Sequence, residues 1–301
     1  MSAIIASFAV AGGATAFLVG PDMASVAVAG VMVGLFGSLF GDRIRATAAA
    51  GTALGATALG MASPGWVSFA IVIPVMAALV GRESDRTGSK TFVFGLIAWI
   101  ILLAPAGSGG GWTLIAVFVA AATFGIGVAI MMGVEARILA GPHVPGYGFS
   151  LGIALAAGLA LAFLIAGRFE GSHTQWIALL FAARALDAPD AHLSKAVRTA
   201  LGAIAGAAAA GALLALPLPS PAFAVAGILL FVLGLRLMPA NTPLSPALTS
   251  AAVILGTAPD QASAVFRVEA AAIAAGLAVA LIWCVRALRA RVLERREGGA
   301  S

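Results

Sequence analysis

The sequence predicts an all-α integral membrane protein of about twelve transmembrane helices, arranged as two parallel six-helix repeats. Three observations predict it. Of the 301 residues 61% are hydrophobic and only 10% charged, with a mean hydropathy of +1.08. That is more apolar surface than a water-soluble globule can hide, so lipid must solvate it. Nearly the whole length also parses into apolar runs of the roughly 17 to 25 residues that a bilayer-spanning helix needs. Finally, the cations between those runs fall mostly on one side.

In order, the spans are expected at 3–20, 23–40, 46–62, 66–81, 91–106, 112–133, 149–167, 173–187, 196–216, 220–236, 244–257 and 264–288. The first carries no Lys or Arg at its start and reads as a retained spanning helix, not a cleaved signal peptide. The third, "GTALGATALG", and the ninth, "GAIAGAAAAG", carry glycines four and five residues apart, which let neighbouring helices approach closely. The eighth is cut short before Pro189, and fifteen residues reach only about 22 Å of a hydrocarbon core roughly 30 Å thick. The eleventh, "LSPALTSAAVILGT", is similarly short and follows the Pro-rich break "MPANTP". Interrupted spans of this kind are the best sequence pointer to a transport path. The twelfth opens on Arg267 and Glu269 and runs into "RALRARVLERREGGAS", expected as a basic helix end and frayed tail over 291–301. The connecting loops leave no room for a soluble domain.

The net charge of +5 is explained by topology. Arg43, Arg45, Arg82, Arg86, Lys90, Arg137, Lys195, Arg198, Arg236 and the five arginines from Arg286 to Arg296 share one side. Arg168 and Arg267 lie opposite, and Arg184 lies within a span. The positive-inside rule then puts both termini in the cytoplasm, in a multi-pass protein of the cell's inner membrane. No basic residues interleave with aromatic ones on a soluble surface, so nucleic acid is not an expected partner. The lone Cys284 and the scattered His143, His173 and His192 give no metal-ligand spacing. No phosphate-binding glycine loop and no GxSxG elbow occurs, so neither an enzyme nor a cofactor is expected.

Gly202, Gly206 and Gly211 follow Gly51, Gly55 and Gly60 by 151 residues each, and "GTAP" ending at Pro259 follows "LLAP" ending at Pro105 by 154. Halves at 1–140 and 149–290, joined by 141–148, are therefore expected to be copies. Six spans in each make the repeat parallel. The outer end of the last span carries charge only in the second copy. The second copy is thus expected to keep the chemistry, and the first to act as scaffold.

The polar residues crowd into 171–206. Arg184 lies within a span and must face protein or water. Asp187, three residues on, is positioned for an intrahelical ion pair, whereas an arginine that also holds a carboxylate with two parallel hydrogen bonds is the functional alternative. His173 and Trp176 mark the outer end of the span, as interfacial residues or as parts of a path.

"HTQWIALLFAARALDAPDAHLSKAVRTALGAIAG" (173–206) resembles the segment of the fusaric acid resistance family, related to aromatic acid exporters, in which a His and a Trp start a span and a basic residue leads into an R-x-x-x-G-x-x-x-G helix. "FRVEAAAIAAGLAVAL" (266–281) resembles that family's closing R-x-E…G helix. The resemblance covers about 147–290. It implies proton-driven export of small organic, chiefly aromatic, carboxylates, with His173, Trp176, Arg198, Arg267 and Glu269 at motif positions and a periplasmic adaptor as partner. Family members usually carry a sizeable soluble domain, whereas these halves are joined by "GVEARILAGPHVPGYG" alone. An organic-anion channel and a non-transporting scaffold of an envelope complex are the alternatives. Two pore-like halves make a monomer sufficient, and exposed small-residue faces also suit a homodimer.

Overall fold

A computed structural model describes residues 2–20, 23–63, 65–107, 111–136, 146–168, 175–186, 193–217, 220–237, 243–257 and 261–298. All regular structure among them is helical. The helices are α1 (Ser2–Leu18), α2 (Ala24–Phe40), α3 (Arg43–Ala62), α4 (Gly65–Thr87), α5 (Thr91–Gly107), α6 (Gly111–Met131), α7 (Tyr147–Ala166), α8 (Gln175–Ala183), α9 (Leu193–Leu214), α10 (Ser220–Leu237), α11 (Leu244–Thr257) and α12 (Gln261–Gly298). Each of the twelve apolar runs read from the sequence falls on one of these helices.

Among the described residues, five helices are long and apolar enough to cross a membrane: α4, α6, α7, Val197–Leu214 of α9 and Val268–Leu288 of α12. Three shorter apolar helices, α1, α2 and α5, accompany them. Large apolar side chains lie open on the surface, among them Phe17 at 90%, Met131 at 88% and Trp112 at 85% exposure. Water would penalise such a surface, and hydrocarbon does not. The chain is an all-α protein with the apolar helices of a multi-pass membrane protein.

Two helices depart from the expected runs. α2 passes through a π turn at Met32–Phe36 before regaining α winding. α12 is helical for 38 residues, through Gly298. At 1.5 Å per residue that is about 57 Å, so the basic stretch expected to fray continues the helix.

By packing, the chain divides into two compact units. One comprises Met1–Gln175, Ala182–Pro189 and Cys284–Ser301; the other comprises Trp176–Phe181 and Asp190–Trp283. This division differs from the two expected sequence halves because α7, the first helix of the second half, packs on α4 in the first unit.

In the first unit α2 lies against α6, α3 against α5 and α4 against α7. Around α2, Ala27, Val31, Leu35 and Leu39 are buried with Ala121 and Ala129 of α6. At the α4–α7 crossing a methyl group on Gly81 would overlap the Gly148 carbonyl, and one on Gly148 would overlap that of Gly81. Helices gain nothing from hydrophobicity alone in lipid, so such backbone contact is what small residues supply.

The second unit packs α10 and α9 against α11. Ala207, Ala210, Ala251, Ile254, Leu255 and Ala271 form its buried centre. Gly202 and Gly206 face the carbonyls of Pro243 and Ala247, which leave no space for a side chain. The Ser245 hydroxyl ties α11 to α10 by donating to the Gly234 carbonyl (2.8 Å). The packing role expected of these two glycines is thus present. Gly51 of α3 is exposed, as is Gly55, and a methyl group added to either would meet nothing within 4 Å, so that role is corrected for the first half.

Candidate functional site

The residues singled out by sequence occupy scattered places. His173 and Asp187 lie outside the described residues. Trp176 is half-buried at the second position of α8, and Arg184 opens the 3₁₀ turn Arg184–Leu186 that ends it. Arg198 is exposed on α9, Glu269 is exposed on α12, and Arg267 lies two positions before it on the same helix. The α-helical part of this stretch among the described residues is Gln175–Ala183.

The first unit holds two features that the sequence did not announce. At one end, the stretch "RESDRTGSK" folds the α4–α5 turn inward: Glu83, Ser84, Ser89, Lys90 and Thr91 are all buried. Two carboxylates there terminate two other helices. The Phe92 N–H at the start of α5 donates to Glu83 Oε2 (2.9 Å). The Gly148 and Phe149 N–H groups at the start of α7 donate to Asp85 Oδ1 (2.8 Å) and Oδ2 (3.1 Å). Negative charge at a helix start meets both unpaired amides and the positive end of the macrodipole. α7 needs this help because Gly146, which precedes it, is left-handed (φ +75°) and has no side chain with which to cap it. The Ser89 hydroxyl donates to the Phe40 carbonyl (2.7 Å) and joins the turn to the end of α2. Asp42 caps α3 by accepting from the Arg45 N–H (2.8 Å).

At the other end of α4 lies a cavity of about 780 Å³. Trp66, Phe69, Ile73 and Pro74 of α4 form one wall, Leu103 and Ala104 of α5 a second, and Phe163 and neighbouring small residues of α7 a third. Gln175 also lines it and is the one side chain among the described lining residues with an amide or a hydrogen-bonding headgroup other than the Trp66 indole. Phe69 and Phe163 stack with centroids 4.6 Å apart. Trp99 meets both edge-on, at 6.0 and 5.9 Å. Such tilted and edge-on pairs match negative ring faces to positive edges and contribute about 0.5–1.5 kcal/mol each beyond burial. Trp99 is fully buried, and its indole Nε1 has no hydrogen-bond partner.

Pro74 explains part of the cavity. A proline within a helix has no N–H for the carbonyl four residues earlier, and its ring crowds that turn. The residue four positions before Pro74 is Ala70, another residue of the cavity wall.

These features define a class: an all-α protein of membrane type with a ligand-sized, aromatic-walled cavity beside a helix that carries an internal proline. Comparison with known protein families, characterised proteins and solved structures gives no match for this chain.

The carboxylate pair is legible only in part. Glu83 and Asp85 stand among Arg82, Arg86 and Lys90, and in the sequence the cations report topology while nothing marks the acids as caps for distant helices. The cavity has no local signal, because its walls come from residues nearly a hundred positions apart.

Proposed function

We propose that the protein is a secondary transporter of the cell's inner membrane that exports small organic carboxylates, aromatic ones above all, in exchange for protons. In this reading all twelve helices span or enter the bilayer as two parallel six-helix repeats with cytoplasmic termini. His173, Trp176, Arg184, Asp187, Arg198, Arg267 and Glu269 line the anion path of the second repeat. The likeness of 173–206 and 266–281 to the fusaric acid resistance family supports the substrate class.

The single observation that supports a small-molecule path is the aromatic-walled cavity of about 780 Å³ beside Pro74, although it belongs to the first unit and its described lining includes none of the residues assigned to the anion path. Its volume falls within the roughly 300–1,000 Å³ typical of small-molecule sites, and apolar walls with few polar groups are their usual lining. The π turn within α2 adds support, since such turns are frequent at functional sites.

The test is efflux of a radiolabelled aromatic acid from proteoliposomes. Arg184→Ala is expected to abolish saturable efflux while the protein still inserts and folds; unchanged flux would remove Arg184 from the mechanism. Current across a planar bilayer without any proton gradient would replace the carrier by an anion channel.

A further inference from the structure

We propose that the exposed stripe of α4 ending on Arg82 and Arg86 binds an anionic phospholipid, whose phosphate the two arginines hold while an acyl chain lies along the apolar part of the stripe. The inference rests on the membrane class of the chain and not on the exporter reading.

In the sequence, "RESDR" (82–86) reads as self-neutralised. Arg82 and Asp85 stand three positions apart on a helix, as do Glu83 and Arg86, and residues so spaced can pair. The structure turns the acids elsewhere. Glu83 is buried and accepts the Phe92 N–H, and Asp85 accepts the Gly148 and Phe149 N–H groups. Among the described residues no ion pair joins either acid to Arg82 or Arg86, and both arginines are exposed. The connector that leads to α7, "RILAGPHVP" (137–145), contains no acid. Arg82 and Arg86 lie one turn apart on one face, where like charges repel. An anion bound between them removes that repulsion, and guanidinium groups match the geometry of phosphate oxygens.

The rest of the face shows what carries the anion. Ile71, Val75 and Ala78 precede Arg82 at helical spacing, which keeps them on the face of the arginines, and all three are exposed. Phe149, whose N–H Asp85 holds, is 62% exposed at the same end. A soluble anion would meet the two cations and leave this apolar stripe uncovered, whereas a phospholipid matches both parts with one molecule. The depth agrees. From the exposed Trp66 to Arg86, α4 rises about 30 Å, the thickness of a hydrocarbon core. A tryptophan at one membrane boundary therefore places the arginines among the headgroups of the other.

The experiment is native mass spectrometry of the purified full chain in an uncharged detergent, with phosphatidylglycerol and phosphatidylcholine of identical acyl chains. Phosphatidylglycerol is expected to bind its first site about tenfold more tightly, the scale of two cations acting on one headgroup. Arg82→Gln combined with Arg86→Gln should remove that preference, and Arg82→Lys combined with Arg86→Lys should retain most of it. Arg43→Gln, which removes an exposed cation from the start of α3, should leave it unchanged. Neither arginine of α4 carries an ion pair to the acids beside it, so thermal unfolding of the glutamine variant without lipid should match that of the wild type. Glycerol phosphate, the headgroup without its chains, should not displace the lipid at equal concentration. Equal binding of the two lipids, a preference that survives the double glutamine substitution, or one lost equally with Arg43→Gln would overturn the proposal. So would displacement by glycerol phosphate, which would make the arginines a site for soluble anions.

Discussion

α3 in the first unit and α9 in the second carry the same glycine spacing and use it differently. In α9, Gly202 and Gly206 receive the backbone of α11, and any side chain there would collide with the Pro243 or Ala247 carbonyl. In α3, Gly51 and Gly55 face open space, and the contact with α5 runs instead through Gly95, where an added methyl group would lie 2.8 Å from the Ala49 carbonyl. The α3 face that packs is built from alanines, Ala46, Ala49 and Ala53, all fully buried. A glycine pair permits close approach; it does not decide which helix takes it. That depends on whether the neighbour is narrow at the crossing, as Pro243 and Ala247 make α11.

The largest effect that would sharpen this contrast is expected at Gly206. Gly206→Leu should force α9 and α11 apart and destabilise the second unit by about 3 kcal/mol, at the upper end of overpacking costs. Gly55→Leu should not destabilise, because nothing lies within 4 Å of a methyl group there and leucine favours a helix over glycine. Thermal unfolding of the purified protein in detergent reads both, and equal losses would break the comparison.

A smaller loss is expected from Asp85→Ala, which removes the carboxylate that terminates α7. It should cost about 1–2 kcal/mol, the range of a lost helix cap, and amides at the start of α7 should exchange faster with deuterium. Unchanged exchange at Gly148 and Phe149 would show that the cap is dispensable.

The smallest effect should have the opposite sign. Gly51→Ala and Gly55→Ala remove backbone freedom at exposed helical positions where nothing obstructs a methyl group, and each should stabilise by about 0.5–1 kcal/mol. Gly202→Ala should destabilise in the same assay.

Much of the fold is legible in the sequence because hydropathy and helix length are local properties. The runs read at 46–62, 112–133 and 149–167 recur as the helices Arg43–Ala62, Gly111–Met131 and Tyr147–Ala166. The π turn of α2 is not legible: "MVGLF" is as apolar as its flanks, and the extra residue in the turn leaves no trace in a hydropathy profile. Nor is the α4–α7 pairing, since Gly81 and Gly148 meet across a sequence separation that no local pattern marks. For the site, the sequence directs attention to 171–206, of which only Gln175 is among the described lining residues of the cavity, and Gln175 is not one of the residues singled out there. The remaining walls come from α4, α5 and α7, which carry aromatic and small residues indistinguishable from ordinary span-filling ones. Aromatic residues become a site only when three helices place them face to face, and no spacing within one helix encodes that.

The central claim, that the chain moves aromatic carboxylates across a membrane, is tested most directly by loading proteoliposomes with radiolabelled benzoate and imposing an inward proton gradient. The predicted result is saturable efflux that exceeds leakage from protein-free liposomes and collapses when a protonophore dissipates the gradient. Efflux no faster than from protein-free liposomes, with the protein shown to be folded and inserted, would contradict it.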